Sequence, residues 1–227
     1  MSENQPVDPT GGWARATHAL AVFGKEALDT GRAIGRFVAA PTGEVVGMLH
    51  DHLKVVRFER QVRLLDRAAE FMAERGKAGP DRKIPLNVAL PLLEAATLEE
   101  DNDLQDLWVR LLVNGTDGDR PDEIERSFVS ILRDMSRLDA EILQKIGDAD
   151  NGTGVWTAEL PELAISYRRG SERPAEKQEP SDDVNISLSN LTRLGVIDPT
   201  AGFGGPMSRG LVRLTPLGRA LLRAVSA

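Results

Sequence analysis

Residues 84–143 carry the densest helical pattern of the chain, IPLNVALPLLEAATLEEDNDLQDLWVRLLVNGTDGDRPDEIERSFVSILRDMSRLDAEIL. Its apolar residues recur at every third or fourth position, as in Leu104, Leu107, Trp108, Leu111 and Leu112. This spacing places side chains on one face of an α-helix. Residues 116–121 are rich in Gly and Asp, which is typical of turns. The stretch therefore predicts three or four amphipathic helices that pack on one another.

Helix starts within this stretch are predicted from residues that favour helix ends. Proline is tolerated in a first turn, so we expect one helix to begin at Asn87 or Pro91. Thr97 and Glu100 have the spacing of a capping box, and this predicts the start of the next helix. After a helix over residues 122–135, Ser136 with Asp139 three positions later predicts the start of another.

An arginine-rich helix is predicted before this stretch, over residues 54–75. We expect one face to be apolar, with Val55, Phe58, Val62, Leu65, Ala69 and Met72, and the opposite face to carry Arg57, Arg60, Arg63 and Arg67. The arginines are a candidate contact face for anions, either phosphate or a lipid headgroup. Because acidic residues are interleaved with them, the alternative is an ordinary solvated face.

The N-terminal region contains two further features. Residues 1–12 are polar and predict a disordered lead-in, whereas residues 13–37 have approximate helical spacing interrupted by glycines. Residues 33–49 are apolar enough to raise the question of membrane contact. Arg36 and Glu44 interrupt this segment and Pro41 breaks it, which favours a packed helix pair.

The pattern from residue 136 onward predicts a winged helix. The expected elements are helices over 136–148, 159–169, 184–194 and 215–224, strands over 155–157, 195–197 and 211–214, a mobile loop over 170–183, and a glycine-rich wing over 202–210. Thr215 followed by Pro216 is an N-cap with proline at the first helical position. Helix 184–194 has the place of a recognition helix.

Five residues of this region are candidates for contact with nucleic acid or a partner: Ser187, Ser189, Asn190, Arg193 and Arg209. From Arg137 to the end the chain has 11 basic and 12 acidic residues, a balance of −1. Phosphate neutralisation usually needs more lysine and arginine than this. A protein-binding or structural winged helix is therefore favoured over a DNA-binding one, which stays an alternative.

Composition limits the chemistry of the protein. It has 227 residues, a net charge of −7 and no cysteine, which excludes a disulfide framework, a thiol nucleophile and thiolate metal sites. Of the three histidines, His50 and His52 are two residues apart and point to different helix faces. No nucleophile elbow or phosphate-cradling glycine loop occurs. We predict no catalytic, cofactor or metal site, and a reducing cytoplasm suits the composition.

The chain resembles a known family in the phrases IPLNVALPLLEAATLEEDNDLQDLWVRLLVNGTD and ERSFVSILRDMSRLDAEIL. These phrases are similar to those of the abortive-infection alpha family of bacterial proteins. The residues that carry the resemblance are Pro91, Leu92, Leu93, Glu94, Leu107, Trp108, Leu111, Leu112, Phe128, Ile131, Leu132, Leu138, Asp139 and Leu143. The resemblance implies defence against phage through growth arrest or death of the infected cell. It supplies no catalytic residues, because the matching positions are mostly core residues and caps.

The sequence as a whole predicts a mainly α protein. We expect a multi-helix domain over residues 13–135 and a winged-helix α+β domain over residues 136–227. The predicted function is a non-enzymatic, cytoplasmic antiphage protein whose partner is another protein or a phage component, and which could form a homo-oligomer. The alternatives are a winged-helix DNA-binding regulator and a membrane-active effector.

Overall fold

The computed structural model describes Arg36, Val38–Ala39 and residues 58–120, 124–168, 180–201 and 207–226. Within these ranges the helices are α1 (Phe58–Glu74), α2 (Leu86–Ala96), α3 (Asn102–Thr116), α4 (Arg126–Arg133), α5 (Arg137–Ala149), α6 (Asp182–Arg193) and α7 (Pro216–Ala224). The strands are β1 (Val38–Ala39), β2 (Ile84–Pro85), β3 (Val155–Trp156), β4 (Ile165–Ser166), β5 (Ile197–Ala201) and β6 (Met207–Leu214). The prediction of a mainly helical chain with strands near its end is confirmed.

Helix α3 is the centre of the packing. It contacts α1, α2, α5 and α7, and Trp108, Leu111 and Leu112 on it are almost fully buried. Burial of each such side chain contributes about 1.5–3 kcal/mol. One cluster of buried apolar residues runs from Leu64 of α1 to Val225 after α7. Because this cluster crosses residue 135, the division into two domains stays a prediction.

The strands form two small sheets. In the larger, antiparallel sheet the order is β4-β3-β6-β5, and Ile197 of β5 pairs with Leu214 of β6. In the other sheet β1 runs parallel to β2, with Val38 opposite Ile84. The four-stranded sheet lies against α5, α6 and α7. It therefore closes the C-terminal end of the helical core.

Two predicted helix caps are confirmed. Ser136 accepts a hydrogen bond from the backbone N–H of Asp139, whose carboxylate accepts one from the N–H of Ser136, so this pair is a capping box. The Thr215 hydroxyl accepts from the N–H of Gly218, and Pro216 is the first residue of α7. Both caps link residues three positions apart, which is why local sequence reveals them.

The predicted capping box at Thr97 and Glu100 is wrong. Asp101 caps α3 instead, because its carboxylate accepts from the N–H groups of Asp103 and Leu104. The Thr97 hydroxyl donates to the carbonyl of Leu93 at 2.8 Å and so terminates the preceding helix. Pro91 lies inside α2, which begins at Leu86, so of the two predicted starts only Asn87 is close.

The buried face of α1 also differs from its prediction. Leu64, Ala68, Phe71 and Met72 are buried, whereas Ala69 is exposed. The stripe is rotated because the arginines lie at the contact with α3 and do not point away from it. Residues 54–57, including Arg57, lie outside the described residues.

The predicted helix over residues 159–169 is wrong as well. Residues 158–162 form turns, and Ile165–Ser166 is strand β4, paired with β3. Trp156 and Tyr167 meet edge to face at a centroid distance of 5.8 Å. This pairing with a distant strand outweighs the local preference for helix. The predicted loop 170–183 also ends earlier than expected. Helix α6 begins at Asp182, and Ser181 is its cap.

Several predictions fall on parts of the chain outside the described residues. These are the lead-in over residues 1–12, most of the segments 13–37 and 33–49, residues 170–179 of the loop and residues 202–206 of the wing. In the described ranges, no helix combines the length and the apolar character that crossing a bilayer requires.

A substitution at Gly218, in the first turn of α7, tests how closely this helix packs against the segment before β5. A Cβ at this position would lie 2.1 Å from the carbonyl oxygen of Val196, so Gly218→Ala forces the backbone apart. We expect a loss of about 2 kcal/mol or more in the free energy of unfolding, measured by urea denaturation. The matched control is Gly79→Ala, where a Cβ meets nothing within 4 Å. Equal stability of the two variants would contradict this packing.

Candidate functional site

The contact between α1 and α3 contains a group of ion pairs, here called the arginine seam and made of Arg60, Arg63, Arg67 and Asp106. Arg63 donates to the Asp106 carboxylate at 2.9 Å, and Arg67 donates to the same group at 2.6 Å. Arg60 donates to the side chain of Asn102 at 2.8 Å and to the carbonyl of Glu100 at 2.7 Å. The seam joins α1 to the first half of α3.

The charge of Asp106 is stabilised by its partners. Partial burial pushes the pKa of its carboxyl upward, but the hydrogen bonds from Arg67 and Arg63 outweigh burial and hold the pKa below 3.8. The same bonds raise the pKa of Arg67. Since only 22% of the Asp106 side chain is exposed, these bonds are less weakened by water than those of a surface ion pair.

Three members of the predicted anion-contact face are thus engaged within the protein. Arg60, Arg63 and Arg67 all donate to oxygen atoms of residues 100–106, while Arg57 lies outside the described residues. An external anion would have to compete with Asp106 for Arg63 and Arg67. The hypothesis of an anionic contact at this face stays a prediction.

A second network, the Asp139 clamp, joins α5 to α6 and consists of Ser136, Asp139, Ser187 and Asn190. The Asp139 side chain is buried. Its carboxylate accepts from the Ser136 N–H at 2.7 Å, the Ser187 hydroxyl at 2.6 Å and the Asn190 amide at 2.9 Å. The Ser136 hydroxyl lies 2.8 Å from the same carboxylate. One buried carboxylate therefore caps α5 and fixes α6 beside it.

Most of the predicted contact residues on α6 take part in internal bonds. Ser187 and Asn190 belong to the Asp139 clamp, and the Ser189 hydroxyl donates to the carbonyl of Asn185 at 2.6 Å. Arg193 forms an ion pair with Asp134 at 3.2 Å. Arg209 lies in β6, and its side chain is outside what the structure describes. The structure thus brings Ser187, Asn190 and Arg193 together, but at the contact of α6 with the α4–α5 junction.

The side of α6 turned away from the clamp is acidic and apolar. Asp182, Asp183 and Ile186 are exposed, and 68% of Ile186 is accessible. Asp182 and Asp183 lie in the first turn of the helix, where the helix dipole stabilises negative charge. A DNA-reading helix usually points its N-terminal residues at base edges. Two carboxylates at this end oppose the approach of phosphates.

Three aspartates come together around a lysine at the far end of α3. Oxygen atoms of Asp81, Asp117 and Asp119 lie within 4.8 Å of one another. The Lys77 ammonium group contacts all three carboxylates, at 2.9 Å for Asp119. These hydrogen bonds raise the pKa of Lys77 and lower the pKa of Asp117 and Asp81. The ammonium group takes the place that a metal ion would need, so the arrangement is that of an ion-pair cluster.

Two cavities lie along α5. One of about 380 Å³ is walled by apolar residues of α3, α5 and α7 such as Leu107, Leu143 and Leu222. The other, of about 420 Å³, lies between α3 and α5 and has a charged lining. They share Leu107, Ala140, Gln144 and Asp148, so they form one groove. Among the described residues, the exposed face of α6 and this groove are two surfaces available for recognition.

Local sequence patterns predict only part of this arrangement. The Ser136 and Asp139 spacing identified a cap, yet the partners of Asp139 on α6 lie 48 and 51 positions further along the chain. No local pattern in the sequence marks Asp106, Lys77 or Asp117. Asp139 lies three and four positions before Ile142 and Leu143, which places it on the apolar face of its helix. A carboxylate on such a face is the sequence signal for a buried polar network.

The Asp139 clamp predicts a large effect for Asp139→Ala. The substitution leaves the Ser136 N–H, the Ser187 hydroxyl and the Asn190 amide without their common acceptor, and buried donors without acceptors are costly. We expect a loss of about 2–4 kcal/mol in the free energy of unfolding, measured by chemical denaturation. Asp103→Ala is the control, because Asp103 pairs with Arg137 and both side chains are well exposed. It should cost less than about 1 kcal/mol, and an equal loss in both variants would contradict the clamp.

The arginine seam predicts a pH effect. The pKa of Asp106 is lower in the folded protein than in the unfolded chain. The contribution of Asp106 to the free energy of unfolding is therefore fully present above the unfolded pKa and is lost as pH falls through the folded pKa. Asp106→Asn should therefore be less stable than the wild type near pH 7, and the difference should shrink below about pH 4.

Urea denaturation at several pH values measures this difference. The control is Asp66→Asn on the exposed side of α1, which should leave the pH dependence unchanged. A difference between wild type and Asp106→Asn that stays constant from neutral to acidic pH would show that Asp106 does not hold the seam.

Comparison with known proteins places the chain in a family. The family model described as "Abortive infection alpha" matches residues 59–225. This match covers α1 to α7, and with them the arginine seam and the Asp139 clamp. No curated protein and no solved structure matches the chain. Since the family model spans well over half of the sequence, the chain belongs to the abortive infection alpha family.

Proposed function

We propose that the protein is a non-enzymatic antiphage defence protein of the cytoplasm, which limits infection by arresting or killing the infected cell. The observation that carries this proposal is the family match over residues 59–225. Consistent with it, the phrases that resemble the family fall on α2 to α5, whose residues build the core and the caps. A fold held by such residues suits an effector or sensor that works through contact with other molecules.

We propose further that the C-terminal region is a winged-helix interaction module. In chain order it contains α5, the short strands β3 and β4, α6, the antiparallel pair β5 and β6, and α7. In a winged helix the strand pair after the recognition helix forms the wing. Helix α6 has the place of the recognition helix, and the Asp139 clamp sets its orientation on α5.

The module's partner, in this proposal, is a protein of the host or of the phage. The exposed side of α6 offers Ile186 flanked by Asp182 and Asp183. An exposed apolar side chain with acidic neighbours suits a protein surface with an apolar pocket and basic rim. It does not suit DNA, which demands cationic groups.

Phage challenge of cells that express the protein tests the proposal. We expect fewer plaques for at least one phage of a diverse panel, and slowed growth when the protein is overproduced. Ile186→Lys should abolish protection, because it places a charge in the contact while the exposed position leaves folding intact. Leu98→Lys is the matched control, since Leu98 is also exposed but lies before α3. A panel in which no phage is restricted, with normal growth on overproduction, would refute the proposal.

DNA binding is the second candidate, favoured by the β5 and β6 pair after α6 and by Arg209 in β6. A gel-shift assay with a pool of duplex DNA at about 0.1 M salt tests it. The protein-binding proposal predicts no shift. A shift that Arg209→Ala or Arg193→Ala weakens would establish the DNA-binding alternative in its place.

A further inference from the structure

Beyond the arginine seam, α3 and the segments that follow α1 and α3 bring together a second group of basic side chains, here called the arginine triad: Arg75, Arg110 and Arg120. The Arg110 guanidinium lies over the ring of Phe71 at 5.3 Å, and the Arg67 guanidinium lies over the same ring at 4.5 Å. Contact with an aromatic face fixes the plane of a guanidinium group. Arg120 is held by the carbonyl of Arg223 and the hydroxyl of Ser226.

Two members of the triad have buried donors without an acceptor. Nη1 of Arg75 and Nε of Arg110 are inaccessible to water and have no hydrogen-bond partner among the described residues. Nη1 of Arg75 lies 3.5 Å from the Asp117 carboxylate, a distance that allows an ion pair but is too long for a well-formed hydrogen bond. Such donors are rare in folded proteins, and an ion or water that satisfies them is a usual explanation.

The charge balance of the triad is also unusual. Burial lowers the pKa of Arg75, and the charges of Arg120 and Arg110 lower it further, while Asp117 acts in the opposite direction. Asp117 is shared with the ammonium group of Lys77. The arginine seam differs in this respect, because Arg63 and Arg67 both reach Asp106.

We propose that the arginine triad binds a small oxyanion of the phosphate class, with Arg75 and Arg110 as its donors and Arg120 as an added positive charge. A tetrahedral oxyanion accepts several N–H bonds at once, and a guanidinium group matches it with two parallel donors. Arg110 also lines the 420 Å³ cavity between α3 and α5. Because its Nε is sealed from water, an anion that enters from this cavity displaces the side chains that cover the donor.

The position of the triad favours a free phosphate compound over a membrane surface. Only 21% of the Arg75 side chain is exposed, so its donors are recessed below the surface. A small anion can enter such a recess, whereas a flat array of lipid headgroups meets the outermost charges first. The site is independent of the exposed α6 face, so it stands whether or not the proposed defence function does.

Titration of the full-length protein with inorganic phosphate tests the proposal, with sodium chloride at equal ionic strength as the reference. We expect phosphate to raise the melting temperature more than chloride does. In ¹⁵N-resolved NMR, the Nε–H signal of Arg110 should shift and saturate as phosphate is added. Arg110→Gln and Arg75→Gln should each weaken phosphate binding by about tenfold or more, because a charge-assisted bond is lost.

Arg60→Gln is the matched control, since Arg60 lies in the arginine seam and already has two acceptors. It should keep the affinity of the wild type for phosphate. Arg75→Lys keeps the charge and the fold but loses the paired donors, so it should also bind phosphate more weakly.

Three results would overturn the proposal. The first is a response to phosphate no larger than that to chloride. The second is unchanged phosphate binding in Arg75→Lys and Arg110→Gln. The third is cosedimentation with phosphatidylglycerol vesicles that depends on Arg75 and Arg110, without any binding of inorganic phosphate, because it would assign the triad to a lipid headgroup.

Discussion

A buried carboxylate determines how the C-terminal half of this protein is arranged. Asp139 accepts hydrogen bonds from the start of its own helix and from two side chains of α6. A buried charge is tolerated only when its lone pairs are satisfied, so α6 has one position in which Ser187 and Asn190 both reach it. With α6 held in this way, Val184, Leu188 and Leu191 enter the core, and Asp182 and Ile186 face outward.

Charged side chains meet at three places along α1 and α3, and one of the three differs from the other two. At the α1–α3 contact, Asp106 satisfies Arg63 and Arg67, and at the far end of α3 three aspartates surround Lys77. Between them lies the arginine triad, where buried donors outnumber acceptors. Ion pairs in the first two places hold helices together. In the third place Nη1 of Arg75 and Nε of Arg110 keep no hydrogen-bond partner, and this is the observation on which the proposed oxyanion site rests.

The sequence predicted well what depends on neighbours along the chain. The caps at Ser136 and Thr215 and the buried stripe of Trp108, Leu111 and Leu112 follow from spacings of three or four residues. The sequence did not predict the features that depend on contacts between residues far apart in the chain. Strand β4 exists because it pairs with β3. The arginines of α1 turn toward α3 because Asp106 accepts their hydrogen bonds, and Asp106 lies about 40 positions away in sequence. The acceptors of Ser187 and Asn190 could not be predicted for the same reason.

We propose that this abortive infection alpha protein meets a protein partner through the exposed side of α6. The most direct measurement places a photo-crosslinking amino acid at position 186 and irradiates cells before and during infection. The account predicts a cross-link to one specific host or phage protein at position 186, and none to that protein from position 98. Cross-linking to nucleic acid, or the same background of proteins at both positions, would contradict it.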